Sequence, residues 1–392
     1  MSEPVEIRVG VIGTGHVSQE FVRELLRRST YRLGKVLTRR PLDSVRDFPR
    51  PDALTNATDE LIESSDVVFE CSGDAVHAAE VIGRVLDTGL PVVTLNSEFH
   101  VTVGSHYVAR GLLTEAEGDQ PGSLAALNED VLAMGFSPLA YTNMKTFLNR
   151  NPTLEDMQYW GERLGYSLPM VTSFTDGTKV QIEQCLVANG LGAGIARQEL
   201  IGLETDDLDK AAAELGQVAD RLGHPISDYI LARGLPHGVF IIARHDESQA
   251  ANLRTLKMGD GPYYTLVRPY CLVHLEVFKT IDRVVRERRP LLNNGLLPRI
   301  GVAAVAKREL APGEFVERGC GGFDLRGICV NIAERPGHLP ICLASRMHVR
   351  RRVEPGQILR MDDVELPEST ALAAWQAIER QVLAEKRRVA AC

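Results

Sequence analysis

Three side chains of complementary chemistry crowd into the stretch SFTDGTKVQIEQ, residues 173–184: Asp176, Lys179 and Glu183. A helix would set them at i, i+3 and i+7, on one face. A lysine beside carboxylates can give or take the proton of a hydroxyl group, and the carboxylates alone can hold a divalent metal. The same spacing also describes an ordinary solvated face, with Lys179 and Glu183 as an i,i+4 pair contributing about 0.3–0.5 kcal/mol. The residues just ahead favour a site. Ser173, Thr175, Asp176 and Thr178 are short hydrogen-bonding side chains that can cap a helix or present an anion site at its N-terminus. Ser173, Thr178 and Glu183 are therefore read as substrate-binding residues, and Asp176 and Lys179 as catalytic ones.

Such a site needs a scaffold, and the front of the chain supplies the elements of one. In EIRVGVIGTGHVSQEFVRELLRRS, Ile7 to Ile12 is a near-continuous apolar run, as in a parallel strand buried on both faces. Gly13 and Gly15 follow, and from His16 and Val17 onward the apolar residues recur with helical period. Strand, glycine turn and helix in that order place backbone N–H groups against a dinucleotide pyrophosphate. Ser18 stands where the third glycine of that pattern would be. The second strand, YRLGKVLT, leads into Arg39 and Arg40 rather than an acid. Two arginines suit a 2′-phosphate, so NADP(H) is favoured over NAD(H). Further alternation through DVVFECSG, AVHAAEVIGRVLDTG and PVVTLN implies an α/β fold with a doubly wound parallel sheet. Ligands of such sheets lie beyond the carboxyl ends of the strands, which places Cys71, Ser72, Gly73, Asn96 and Glu98 near the cofactor.

A length of 392 residues allows two or three domains, divided here at 1–120, 121–296 and 297–392. The net charge of −8 argues against non-specific nucleic-acid binding. No apolar run approaches the ~18 residues of a membrane span. The seven cysteines are scattered without a CxxC pair, as expected of reduced thiols in the cytoplasm. A strand begins within six residues of the start, so no leader segment is expected.

In the middle region, KMGDGPYY reads as a turn, and LVRPYCLVHLEVF alternates. Val267, Cys271, Val273, Leu275 and Val277 would face one way, and Arg268, Tyr270, His274 and Glu276 the other, forming a half-exposed sheet or a cleft wall. Near the end, AKRELAPGEFV and VRRRVEPGQIL repeat a basic pair, an apolar residue and Pro-Gly. Pro-Gly signals a type II turn, so two related turns suggest a pseudo-symmetric all-β module. The tail TALAAWQAIERQVLAEKRR reads as a helix that closes the fold or packs on a partner subunit.

Taken together, GDQPG, NMK with RNPT, MVTSFTDGTK, KMGDGP, PYCLVHLE and VAAVAKRELAPGE resemble the homoserine-dehydrogenase-like oxidoreductases with a C-terminal SAF domain. The motifs occur in that family's order over nearly the whole chain. The resemblance implies a Rossmann domain, a central α+β catalytic domain, a small SAF-like module and a homodimer. Some members resemble deoxyxylulose-phosphate reductoisomerase-like enzymes. The family pairs an acid with a lysine, loosely matched by Asp176 and Lys179, and carries a second lysine after the asparagine of the fifth strand. Here Ser97 and Glu98 follow Asn96, and Lys145 can take that lysine's place if its strand reaches the cleft.

On this reading Lys145 and Lys179 exchange the hydroxyl proton, with pKa values lowered toward neutrality, and Asp176 orients them. Asp119, Gln120 and His274 join the substrate site, and Arg150, Lys257 and Arg268 would take a substrate phosphate. If the reaction is a reductive isomerisation, Asp119, Asp176 and Glu183 are the candidate metal ligands. The expected activity is NADPH-dependent oxidoreduction of a small polar carbonyl or hydroxy substrate, in its sharpest form the reductive isomerisation of a phosphorylated ketose. The alternatives are a homoserine- or sugar-acid-type dehydrogenase, and a nucleotide-sensing regulator.

Overall fold

The computed structural model describes residues 6–390. Strands β1 (Ile7–Ile12), β2 (Tyr31–Leu37), β3 (Leu54–Thr55), β4 (Val67–Glu70), β5 (Val92–Thr94) and β6 (Leu113–Glu115) form one parallel sheet in the order β3-β2-β1-β4-β5-β6. β1 and β4 at its centre are buried on both faces, which is why β1 reads as a near-continuous apolar run. The strand order reverses between β1 and β4, opening the crevice where such sheets take a ligand. The fold is a Rossmann-type α/β fold followed by smaller mixed and antiparallel sheets.

The second sheet comprises β7 (Ser137–Lys145), β8 (Leu203–Glu204), β9 (Ile226–Leu231), β10 (Val239–Arg244) and β11 (Tyr264–Arg268), in the order β11-β10-β7-β9-β8. It mixes parallel pairs (β7 with β9, β9 with β8) and antiparallel pairs (β7 with β10, β10 with β11). The helix Thr178–Gly190 lies between this sheet and the C-terminal module, and Thr178 through Ala188 are all buried. A helix enclosed on every side has little freedom to shift, and this one carries Lys179 and Glu183.

The C-terminal module pairs β12 (Ile300–Ala306) with β14 (Leu325–Asn331), and β15 (Met347–Val349) with β13 (Phe315–Val316) and β16 (Val364–Glu365), all antiparallel. The internal repeat is a real symmetry. Gly313 N donates to Val349 O at 2.7 Å, and Gly356 N to Ala306 O at 2.8 Å, so each Pro-Gly turn docks on the strand that precedes the other. Both glycines have positive φ, 84° and 80°, as a type II turn requires. The helix Thr370–Ala390 closes the fold within the chain, burying Ala371, Ala374, Trp375, Ile378 and Val382 in the cluster that holds Ala78 and Ile82 of the helix Ala75–Asp87.

Two local expectations are corrected. Asp176 does not share a helix with Lys179 and Glu183. A helix Leu168–Thr175 ends at Asp176, Gly177 turns left-handed at φ 87°, and the next helix starts at Thr178. The alternation through residues 265–277 is not one strand either. β11 stops at Arg268, where Pro269 can no longer donate to the ladder, and a helix Val273–Asp282 follows. Glu276 reaches back to accept from Leu272 N at 2.8 Å, capping that helix and turning its own side chain inward. His274 is thus a helical residue, not part of a strand wall.

Candidate active site

The glycine turn after β1 opens a cavity lined by Gly13, Thr14, Gly15, Leu37, Thr38, Arg39, Arg40, Ser72 and His77. Gly13 has φ 111°, and a Cβ there would sit 3.2 Å from the Ser72 backbone, so the turn requires glycine. Gly15 precedes the helix His16–Leu25 without a side-chain cap, so the first-turn N–H groups of His16 and Val17 stay available to an anion. Ser18 is buried and donates to Gly13 O at 2.8 Å, which shows how a serine replaces the third glycine. Arg39 pairs with Asp74 at 2.7 Å, while Arg40 is exposed at the rim. These residues fit a dinucleotide. Cys71 lies at the end of β4 and directs its Sγ at Ile12 O, and Gly73 takes the positive φ of the following turn.

Asn96 braces the backbone: its side chain accepts from Phe99 N at 2.9 Å and donates to Glu70 at 3.4 Å. Glu70, fully buried, also accepts from Ser72 N at 2.8 Å. Burial raises its carboxyl above the ordinary range. Glu70 thereby ties the cofactor cavity to the segment Ser97–Glu98, where a second cluster begins.

That cluster draws on four segments. After β5 comes Glu98; at and beyond β6 come Glu115 and Asp119; β7 ends at Lys145; the helix Thr178–Gly190 adds Lys179 and Glu183. Lys179 Nζ lies 3.2 Å from both Glu98 carboxylate oxygens and 3.9 Å from Asp119. Lys145 Nζ lies 2.8 Å from Glu183, which also accepts from Asn143 at 2.8 Å. The Gln120 amide, oriented to donate, reaches Asp119 at 2.6 Å and Glu183 at 3.3 Å. Ser97 Oγ bridges Glu115 at 3.2 Å and Asp119 at 3.5 Å. Side-chain exposures of 11% at Lys179, 18% at Lys145 and 15% at Glu98 leave the cluster largely buried but not sealed from solvent.

Electrostatics set the protonation. Burial alone would lower the Lys179 ammonium, but Glu98, Asp119, Glu183 and Glu115 outweigh it and hold the lysine well above its usual range. This corrects the expectation of a pKa near neutrality: Lys179 is an ammonium, a hydrogen-bond donor rather than a free base. Burial pushes the Glu183 and Glu115 carboxyls up. His100, 3.5 Å behind Glu115 and fully enclosed, is held down to about 3 by burial and is neutral.

The other expected residues that form side-chain bonds do so with groups outside this cluster. Asp176 pairs with Lys307 of the C-terminal module at 2.5 Å. Thr178 Oγ1 accepts from Gly327 N, and Ser173 bonds within its own helix to Met170 O. Arg150 pairs with Glu199 at 3.0 Å, and Lys257 is an exposed left-handed residue after the helix Ala250–Thr255. Arg268 is committed to Glu117 at 2.6 Å and to Glu276. The three candidate phosphate cations are therefore each placed elsewhere or occupied. Among the described residues, no group of three or more His, Cys, Asp or Glu is arranged to hold a metal. Sequence reasoning missed Glu115, and it missed Glu98 as the partner of Lys179. The one available signal was that Ser97–Glu98 replaces an expected lysine.

Residues 118–277 match the family described as oxidoreductase DRL, catalytic domain. The segment contains Asp119, Lys145, Lys179 and Glu183. The chain is an oxidoreductase. With a cavity that fits a dinucleotide in the sheet that precedes the matched segment in the chain, a nicotinamide cofactor is implied. No curated protein matches the sequence. Similar solved structures include a homoserine dehydrogenase from Thiobacillus denitrificans, at 15% identity and TM-score 0.47 over 83% of this chain and 90% of that one. A probable dehydrogenase from Thermotoga maritima aligns at 15% identity and TM-score 0.40, over 72% of this chain and 90% of that one.

Proposed function

We propose that the protein is a cytoplasmic, homodimeric NADPH-dependent oxidoreductase that reduces a small polar carbonyl compound, with Lys179 as the proton donor. The observation that carries this reading is the Lys179 ammonium, sunk among Glu98, Asp119, Glu115 and Glu183 at the carboxyl end of the first sheet. A bound nicotinamide supplies the hydride. The chain's own residues do the rest. Lys179 donates a hydrogen bond to the substrate oxygen and then a proton as charge builds there. Asp119 and Glu98 fix the ammonium and restore its charge preference after transfer. Lys145, held by Glu183 and Asn143, presents a second cation to a neighbouring hydroxyl. Arg40 at the rim of the cofactor cavity supports NADPH over NADH, with Arg39 partly neutralised by Asp74.

The finer reading is reductive isomerisation of a phosphorylated ketose, 1-deoxy-D-xylulose 5-phosphate. Its support is the family resemblance of the motifs together with the match over residues 118–277. Mixing the protein with NADPH and this ketose tests both levels. Oxidation of NADPH with a branched polyol phosphate seen by NMR is the expected result, with NADH at least about tenfold less effective. Oxidation giving an unbranched alcohol would leave a simple reductase. Tight NADPH binding without turnover across a broad carbonyl panel would make the chain a nucleotide sensor.

A further inference from the structure

The helix Thr178–Gly190 turns different faces to different neighbours. Lys179 and Glu183, one turn apart, share the face turned to the acid–lysine cluster. Thr178, Gln181 and Cys185, spaced i, i+3 and i+7, share another, and the C-terminal module occupies it. Gly327 N donates to Thr178 Oγ1 at 2.9 Å, Cys329 N donates to Gln181 Oε1 at 2.7 Å, and Cys185 Sγ donates to Ile300 O at 3.2 Å. Further along, the Asn189 side chain donates to Ile300 O at 2.8 Å and accepts from Ile300 N at 3.0 Å. The module's β12 and β14 thus follow the helix along most of its length.

The tightest contact is at its start. Asp176 stands just before the helix, across the left-handed Gly177, and its Oδ1 accepts from Thr178 N at 2.8 Å. Its Oδ2 accepts from Lys307 Nζ at 2.5 Å, and Lys307 also donates to Gly322 O at 2.8 Å. The two side chains are 4% exposed at Lys307 and 0% at Asp176. An ion pair enclosed this fully gains little net stability over apolar residues of the same shape, yet it fixes geometry, because removing either partner strands a buried charge. Here the geometry it fixes is the first turn of the helix that bears Lys179, three residues beyond Asp176.

We propose that Lys307 is a positioning residue for the reaction: through Asp176 it locks the first turn of the helix and holds the Lys179 ammonium against Glu98 and Asp119. The C-terminal module is then a supporting wall of the active site. The inference rests on the reading that Lys179 carries the proton step.

The test is the paired variant Lys307→Met with Asp176→Leu, which removes the link without leaving a lone buried charge. Lysine reactivity toward trace acetic anhydride is followed by mass spectrometry across pH in wild type and variant. If the link positions Lys179, its ammonium loses part of its hold on Glu98, Asp119, Glu183 and Glu115. Its titration then moves down by about one unit, which raises its free-amine fraction about tenfold at any pH below it. Lys145, on β7, keeps its wild-type profile. An unchanged Lys179 profile, or an equal rise at Lys145, overturns the proposal. The functional reading fails by a different result: Lys179→Ala retaining wild-type turnover.

Discussion

Lys179 and Lys307 approach the same helical turn from two sides, and their surroundings differ. Lys179 is shared among several carboxylates, none closer than 3.2 Å, and its side chain keeps 11% exposure. Lys307 has one carboxylate at 2.5 Å, and its side chain is only 4% exposed. A cation shared loosely by an excess of acids can trade one partner for a substrate oxygen, because the acids that remain still hold it. A cation with one enclosed partner cannot exchange it without stranding a charge. The contrast separates a group placed to do chemistry from one placed to hold shape, although both are buried lysine–carboxylate pairs.

Removing each lysine should therefore fail differently. Lys179→Ala should lower turnover by about 10²–10⁴-fold, the usual contribution of a positioned acid–base group, with NADPH affinity unchanged. Steady-state kinetics beside a cofactor titration measures both, and a fall of only a few-fold would remove the distinction between the two lysines. Lys307→Met alone should cost stability first, about 3–5 kcal/mol in chemical denaturation, because Asp176 is left buried and unpaired. Adding Asp176→Leu should recover most of that loss. If the single substitution costs under about 1 kcal/mol, the pair is not enclosed as described.

The two lysines also mark how far sequence reading reached. The cofactor cavity was legible because its parts are local: one strand, one glycine turn and one helix close together in the chain carry their own geometry. The repeat at the end was legible for the same reason, since Pro-Gly at Gly313 and Gly356 dictates the turn wherever it sits. The acid–lysine cluster was legible only in part. Lys179 stood out, but its partner Glu98 lies 81 residues away, and Lys307 lies 131 residues from Asp176. No periodicity encodes such distances; only the packing of distant layers creates them. Where local signals misled, tertiary demands had overruled them. Gly177 broke a helix that charge spacing had joined, and Glu276 turned an apparent strand into a capped helix.

A titratable group sealed inside the C-terminal module sharpens the contrast at a smaller scale. His338 is 1% exposed, packs edge-on against Trp375 at 5.1 Å between ring centres, and rests its Nδ1 2.8 Å from Arg335 O. Burial lowers its pKa to about 4. A histidine whose folded value lies below its unfolded one binds fewer protons when folded, so it adds stability above about pH 6.5. That stability drains away as pH falls toward 4. Between pH 7 and pH 5 its share is about 2 kcal/mol, at about 1.4 kcal/mol per pH unit once the unfolded histidine protonates. The stability lost between pH 7 and pH 5, measured by denaturation, should be about 2 kcal/mol smaller in His338→Phe than in wild type, with His100 still contributing to both. Turnover of the folded enzyme should have the same pH profile in the two proteins, since His338 belongs with Lys307 among the groups that hold shape. A shift of the kinetic profile, with no change in the stability slope, would place His338 on the chemical side of the divide.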